Sequence, residues 1–134
     1  EVLRRERFVW VASPHRVAWT DDPLPVALFE TGCAARMHVV EALTEAGRAY
    51  RSTYSSASLV GLCAAVEAGL AVAGLAASSV PATLAVIGAA EGLPALRPLE
   101  MSLIRNTASD TPAMHLLEDF LRRELVRDSE LETA

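Results

Sequence analysis

Val26-Ala27-Leu28-Phe29-Glu30-Thr31-Gly32-Cys33-Ala34-Ala35-Arg36 is an apolar run that breaks on a small polar turn and resumes at helical spacing. Four apolar residues in a row, with no polar alternation, suit a strand covered on both faces, which favours a parallel sheet. Over 33–46, Ala35, Val39, Ala42, Leu43 and Ala46 share one helical face, and His38, Glu41, Glu45 and Arg48 share the other. Thr31 suits the N-cap, and Gly47 suits the C-terminal stop. The arrangement then repeats. Residues 50–54 read as a strand, Ser55-Ser56-Ala57-Ser58 as a polar turn, and the following run to Ala68 as a helix ended by Gly69. Residues 70–75 are a fully apolar strand.

Outward from this centre, 7–12 is rich in β-branched and aromatic residues and reads as a strand stopped by Ser13-Pro14. Pro14, Pro23 and Pro25 mark an irregular connection. Residues 84–87 form a fifth strand, 88–98 a loop broken by Gly92, Pro94 and Pro98, and 99–105 an alternating strand with one wetter face. Thr111-Pro112 opens a last helix running to about Arg127. Met114, Leu117, Phe120, Leu121 and Leu125 are expected to face inward, with Glu118 to Arg122 and Asp119 to Arg123 paired along its surface. The last few residues are expected to fray. Strand–helix alternation predicts an α/β fold, a three-layer sandwich with a mostly parallel sheet.

The 134 residues carry twelve basic and seventeen acidic side chains, a formal charge of −5, with arginine as the sole strong cation. No basic footprint for autonomous nucleic-acid binding is visible. Two cysteines are too few for a disulfide scaffold and fit a reducing cytoplasm. No membrane span or signal peptide is read. His15, His38 and His115 have no ligand spacing with each other or with the cysteines, so no metal site and no cofactor is expected.

Both polar turns are expected at the carboxyl ends of parallel strands, where open α/β sheets bind ligands. Helix starts present unpaired amide donors and the positive end of the helix dipole. Thr31, Gly32 and Cys33, then Ser55, Ser56 and Ser58, are therefore the candidate binding residues, suited to a small anion or carboxylate. Helix capping alone also accounts for these hydroxyls, since serine and threonine are favoured at any helix start. Cys33, at a helix start, has a nucleophile or redox reading beside a packing one. No Gly-x-Ser-x-Gly elbow surrounds the serines.

Arg4 to His15 (Arg-Arg-Glu-Arg-Phe-Val-Trp-Val-Ala-Ser-Pro-His), Leu28 to Arg36, Tyr54 to Leu62, Val66-Glu67-Ala68-Gly69-Leu70-Ala71-Val72 and Gly92-Leu93-Pro94-Ala95-Leu96 resemble, in order, the effector-binding domain of LysR-type transcriptional regulators. The resemblance spans nearly the whole chain. It implies a fold like that of type II periplasmic binding proteins, with a small effector held in a cleft between two lobes. It implies residues 1–17 as the end of the proximal lobe and the crossover, 18–98 as the distal lobe, and 99–134 as the return strand and last helix of the proximal lobe. The Trp10 strand would then be proximal, and the six candidate residues would line the distal side of the cleft. The family's DNA-binding winged helix-turn-helix is not in this sequence, so DNA contact is expected only through that absent domain. A homo-oligomer is expected by resemblance. Peroxide-sensing members place a reactive cysteine near this helix start. Here Cys33 follows Gly32 directly, one position earlier than that pattern, with no second cysteine shortly downstream.

The first functional reading is thus a cytoplasmic, non-enzymatic effector-sensing domain that takes a small, anionic metabolite. The alternatives are an extracytoplasmic solute-binding protein of the same general fold, or a small α/β enzyme using Cys33.

Overall fold

The computed structural model describes residues 1–108 and 110–132, with side chains described to residue 126 in the last helix. Chain contacts divide it into two compact units, Arg7–Arg97, and Glu1–Glu6 together with the chain from Pro98 onward.

In the Arg7–Arg97 unit, β2 (Phe8–Ala12) runs antiparallel between β5 (Ala73–Ala76) and β6 (Ala85–Ile87). β3 (Leu24–Leu28) pairs in parallel with β4 (Tyr50–Ser55). A parallel bridge from Val26 to Val72 joins the two ladders. There the Ala27 N–H donates to Val72 O, and the Val72 N–H donates to Pro25 O, both at 2.9 Å. β3, β4, β5 and β6 therefore run one way, and β2 alone runs against them. Pro25, expected in the irregular connection, lies inside β3, where its carbonyl still serves the sheet. The Trp10 strand, expected with the chain ends, is hydrogen-bonded into this unit as β2.

The two helices cover opposite faces of this sheet. Ala73 and Leu75 of β5 pack in one cluster with Leu62, Ala65 and Val66 of α2 (Leu59–Glu67). Gly74, between them, points the other way, so that a Cβ there would meet Val39 of α1 (Ala34–Glu45) and Phe8. Alternation along one strand thus sets three layers. Leu43 and Leu62, one from each helix, are fully buried. At about 1.5–3 kcal/mol per buried aliphatic side chain, these inner faces hold the helices down. Trp10 is buried and donates its indole N–H to Pro94 O at 2.7 Å. This pins the 88–98 connection, which contains a short 3-10 turn at Ala89–Glu91.

The other unit pairs β1 (Val2–Glu6) antiparallel with β7 (Leu99–Ser102) and adds α3 (Pro112–Glu132). β1 was not expected from sequence. Its run of charge hides a strand whose buried members are the ion-paired Arg4 and Glu6, 2.9 Å apart. The Thr111 hydroxyl caps α3 by accepting from the Met114 N–H at 3.3 Å. Leu117 and Phe120 of α3, expected inward, are more than half exposed, while Glu118 is buried. The helical stripe meets the Arg105 guanidinium there, whose Nε donates to Glu118 Oε1 at 2.6 Å. Arg122 approaches Glu118 at 3.7 Å as expected, but Asp119 also pairs with Arg122, at 3.6 Å. α3 extends past Arg127 to Glu132, and residues 133 and 134, among the last few expected to fray, lie outside the described residues.

Candidate functional site at the strand ends

β3 and β4 end side by side. Leu28 is in register with Ser55, and the Ser56 N–H donates to Leu28 O at 3.1 Å. The chain turns from β3 into α1 through Glu30, Thr31 and Gly32. The Cys33 N–H closes this turn on Glu30 O at 3.2 Å. Gly32 sits at φ +91°, a conformation that costs any residue with a Cβ. The turn delays the helix by two residues, so Cys33, not the expected Thr31, occupies the N-cap position. The Cys33 side chain makes no cap hydrogen bond. The first-turn amides of Ala34, Ala35 and Arg36 thus have no capping side chain, and Thr31 and Gly32 lie exposed beside them.

The second turn is finished differently. Ser58 is the N-cap of α2, and its Oγ accepts from the Gly61 N–H at 3.4 Å. Ser56 Oγ accepts from the Ser58 N–H at 3.0 Å. Ser56 and Ser58 therefore spend part of their hydrogen-bonding capacity on the backbone, as capping alone would have them do.

Arg36 links the two turns. One guanidinium nitrogen donates to Phe29 O at 2.8 Å and to Ser55 Oγ at 3.5 Å. Its side chain was not among the candidates. The local signal was an arginine in the first turn of a helix, against the dipole, a placement that needs some other reason. Thr31, Gly32, Cys33, Ser55, Ser56 and Ser58 thus all lie at one edge of the sheet, with a cation among them. The arrangement offers backbone donors, hydroxyls and one guanidinium, the set that receives an oxyanion.

Cys63 lies elsewhere. It lines a cleft of about 300 Å³ on α2 with Leu59, Val60, Ala64, Glu67, Ser79 and Pro81. Burial, and then the neighbouring Glu67 charge, push its thiol above the ordinary range. Among the described residues, no group of three His, Cys, Asp or Glu side chains is placed to hold a metal ion. No described helix is long and apolar enough to cross a membrane.

The chain resembles known regulators over most of its length. It is 38% identical over 103 residues to the HTH-type transcriptional regulator DgdR of Burkholderia cepacia, covering 77% of this chain and 35% of that protein. It therefore spans about a third of the curated relative it matches. Full-length HypT of Salmonella typhimurium, a hypochlorite-specific LysR-type regulator, superposes with a TM-score of 0.67 at 14% identity, over 91% of this chain and 44% of that one. The regulatory domain of Synechocystis CcmR, solved with 2-PG, gives 0.66 at 12% identity over 96% and 65%. The BenM effector binding domain, solved with its effector benzoate, gives 0.56 at 15% identity over 95% and 63%. These solved structures share the fold, that of periplasmic-binding-protein-like α/β domains. The family model for the LysR substrate binding domain matches residues 1–126. This family binds ligands and is not one of enzymes, and the chain belongs to it.

Proposed function

We propose that this domain senses a small anionic metabolite, a carboxylate above all, at the strand-end edge of the Arg7–Arg97 unit, and that the intact protein converts the binding into control of transcription. The observation that carries the reading is the start of α1, where uncapped amides stand beside Gly32 and the Arg36 guanidinium. A carboxylate there receives charge-assisted hydrogen bonds from backbone and side chain together. Thr31 and Cys33 flank it on one turn, and Ser55, Ser56 and Ser58 on the other. Benzoate on BenM and 2-PG on CcmR support small molecules as the ligand class.

The ligand changes regulation only through unequal affinity for two arrangements of the intact protein. In this reading the protein is cytoplasmic, self-associates, and meets DNA through a separate winged helix-turn-helix. The test is an amide NMR titration of the domain with a panel of small carboxylates. Saturable shifts at Gly32, Cys33, Ala34 and Ser56 are expected. In the intact regulator, Ser56→Ala or Gly32→Val should weaken the effector response. A panel that moves other amides but none of these, or unchanged dose–response curves in both variants, refutes the assignment.

A further inference from the structure

A second cleft, of about 360 Å³, begins near the strand starts of the same sheet and is lined by Arg16, Asp21, Arg51, Thr53, Tyr54, Gly69 and Leu70. Asp21 precedes β3, Arg51 is the second residue of β4, and Gly69 and Leu70 lead into the Val72 bridge. The cleft thus opens at the strand starts and runs along β4 as far as Tyr54, which precedes the turn at residues 55–58, while Arg16, Asp21 and Arg51 hold its far end.

Three features build it. Val26 pairs with Ser52 and Ala27 with Tyr54, so Thr53 is an extra residue in β4. Such a bulge re-aims the strand. It brings Arg51 and Tyr54, three apart and on opposite faces of a regular strand, to one cleft. Gly69 ends α2 at φ +72°, and a Cβ there would lie 2.5 Å from Arg16 Cδ and 2.9 Å from Arg16 Cβ. The stem of Arg16 therefore lies flat on the glycine backbone. Arg48 anchors the third wall, donating to Trp19 O at 3.0 Å and to Asp21 O at 3.2 Å. Among the described residues, the Arg16 and Arg51 guanidiniums have no hydrogen-bond or ion-pair partner. Two uncompensated cations against the single Asp21 carboxylate leave the cleft positive, in a chain whose formal charge is −5.

We infer that this cleft is a second binding site, for a compact oxyanion such as a phosphate or carboxylate group, received by Arg16 and Arg51. Planar guanidiniums match such groups with paired donors. The Tyr54 ring and Leu70 give the site an apolar wall, and Asp21 limits it to low charge. Arg16 also faces the carbonyl end of α2, where a cation stabilises the helix. Arg51 has no such second role and is the cleaner residue to change.

The test is an amide NMR titration of this chain with inorganic phosphate. Saturable shifts are expected at Arg51, Thr53, Gly69 and Leu70. Arg51→Gln should weaken binding about tenfold or more, the usual worth of a hydrogen bond to a charged group. Asp21→Asn should tighten it. Arg36→Gln should leave the midpoint of the shifts at Arg51, Thr53, Gly69 and Leu70 unchanged, which separates this site from the one at the strand ends. A titration that moves none of these amides, or a midpoint unaffected by Arg51→Gln, overturns the inference. So does self-association lost in Arg51→Gln without any phosphate shift, which would make the patch a protein interface.

Discussion

The turns into α1 and α2 leave adjacent parallel strands and use the same small polar residue types, yet they end in opposite states. At α2 the chain satisfies itself, with Ser58 on the Gly61 amide and Ser56 on the Ser58 amide. At α1 a left-handed Gly32 postpones the helix, the cap position falls on a thiol that makes no cap hydrogen bond, and Arg36 turns back over the strand ends. An uncapped helix start forgoes about 1 kcal/mol that a good cap would supply. The donors it leaves are those a ligand can take. In the proposed site, the second turn is scaffold and the first is receptor.

The contrast requires that both helices be equally well anchored beneath their turns. Leu43→Ala and Leu62→Ala, at the fully buried positions of α1 and α2, should each cost about 2–5 kcal/mol in chemical denaturation. A loss in Leu62→Ala alone would mean that α1 is loosely held and that its uncapped start reflects weak packing. Next in size is Gly32→Ala. No atom lies within 4 Å of the new methyl, so the whole cost is backbone, about 1–2 kcal/mol. It should also weaken carboxylate binding by tilting the Cys33 and Ala34 amides.

The caps give the sharpest exchange. Ser58→Ala should lose about 1 kcal/mol, and Cys33→Ala should lose nothing through capping, since no cap bond exists to remove. Cys33→Ser installs the missing cap. It should raise the denaturation midpoint while reducing ligand affinity, because the new hydroxyl takes an amide the ligand needs. A serine that stabilises without weakening binding would show that the first-turn amides are not receptor groups.

These two turns also mark where sequence stopped being legible. The strand–turn–helix order, the glycine stops and the shared sheet edge follow from apolar runs and 3.6-residue spacing, which are local. That Thr31 is not the cap depends on the backbone angle of Gly32, which composition does not reveal. That Arg36 belongs with Ser55 depends on which strands are neighbours. β1 was unreadable for a related reason. Its charged Arg4-Arg5-Glu6 becomes a strand through pairing with residues 99–102, and Arg5 meets Glu100 at 2.8 Å across that pairing. The inward face assigned to α3 failed at Leu117 and Phe120, because periodicity gives a stripe without saying what covers it.

The smallest expected effect concerns the thiol on α2. Cys63 lies on α2 against Glu67, and both burial and that carboxylate disfavour its thiolate. Only the thiolate is alkylated. Labelling of Cys63 should therefore be slow at neutral pH and rise only above the ordinary thiol range. Because burial is the larger cause, Glu67→Gln should move that rise down in pH without bringing it to the value of a free thiol. The Glu67 carboxylate also accepts from the Thr83 hydroxyl. Thr83→Val therefore provides a control that removes this hydrogen bond while keeping the charge. If Thr83→Val speeds labelling as much as Glu67→Gln, loosening of the cleft governs access, and the carboxylate charge does not.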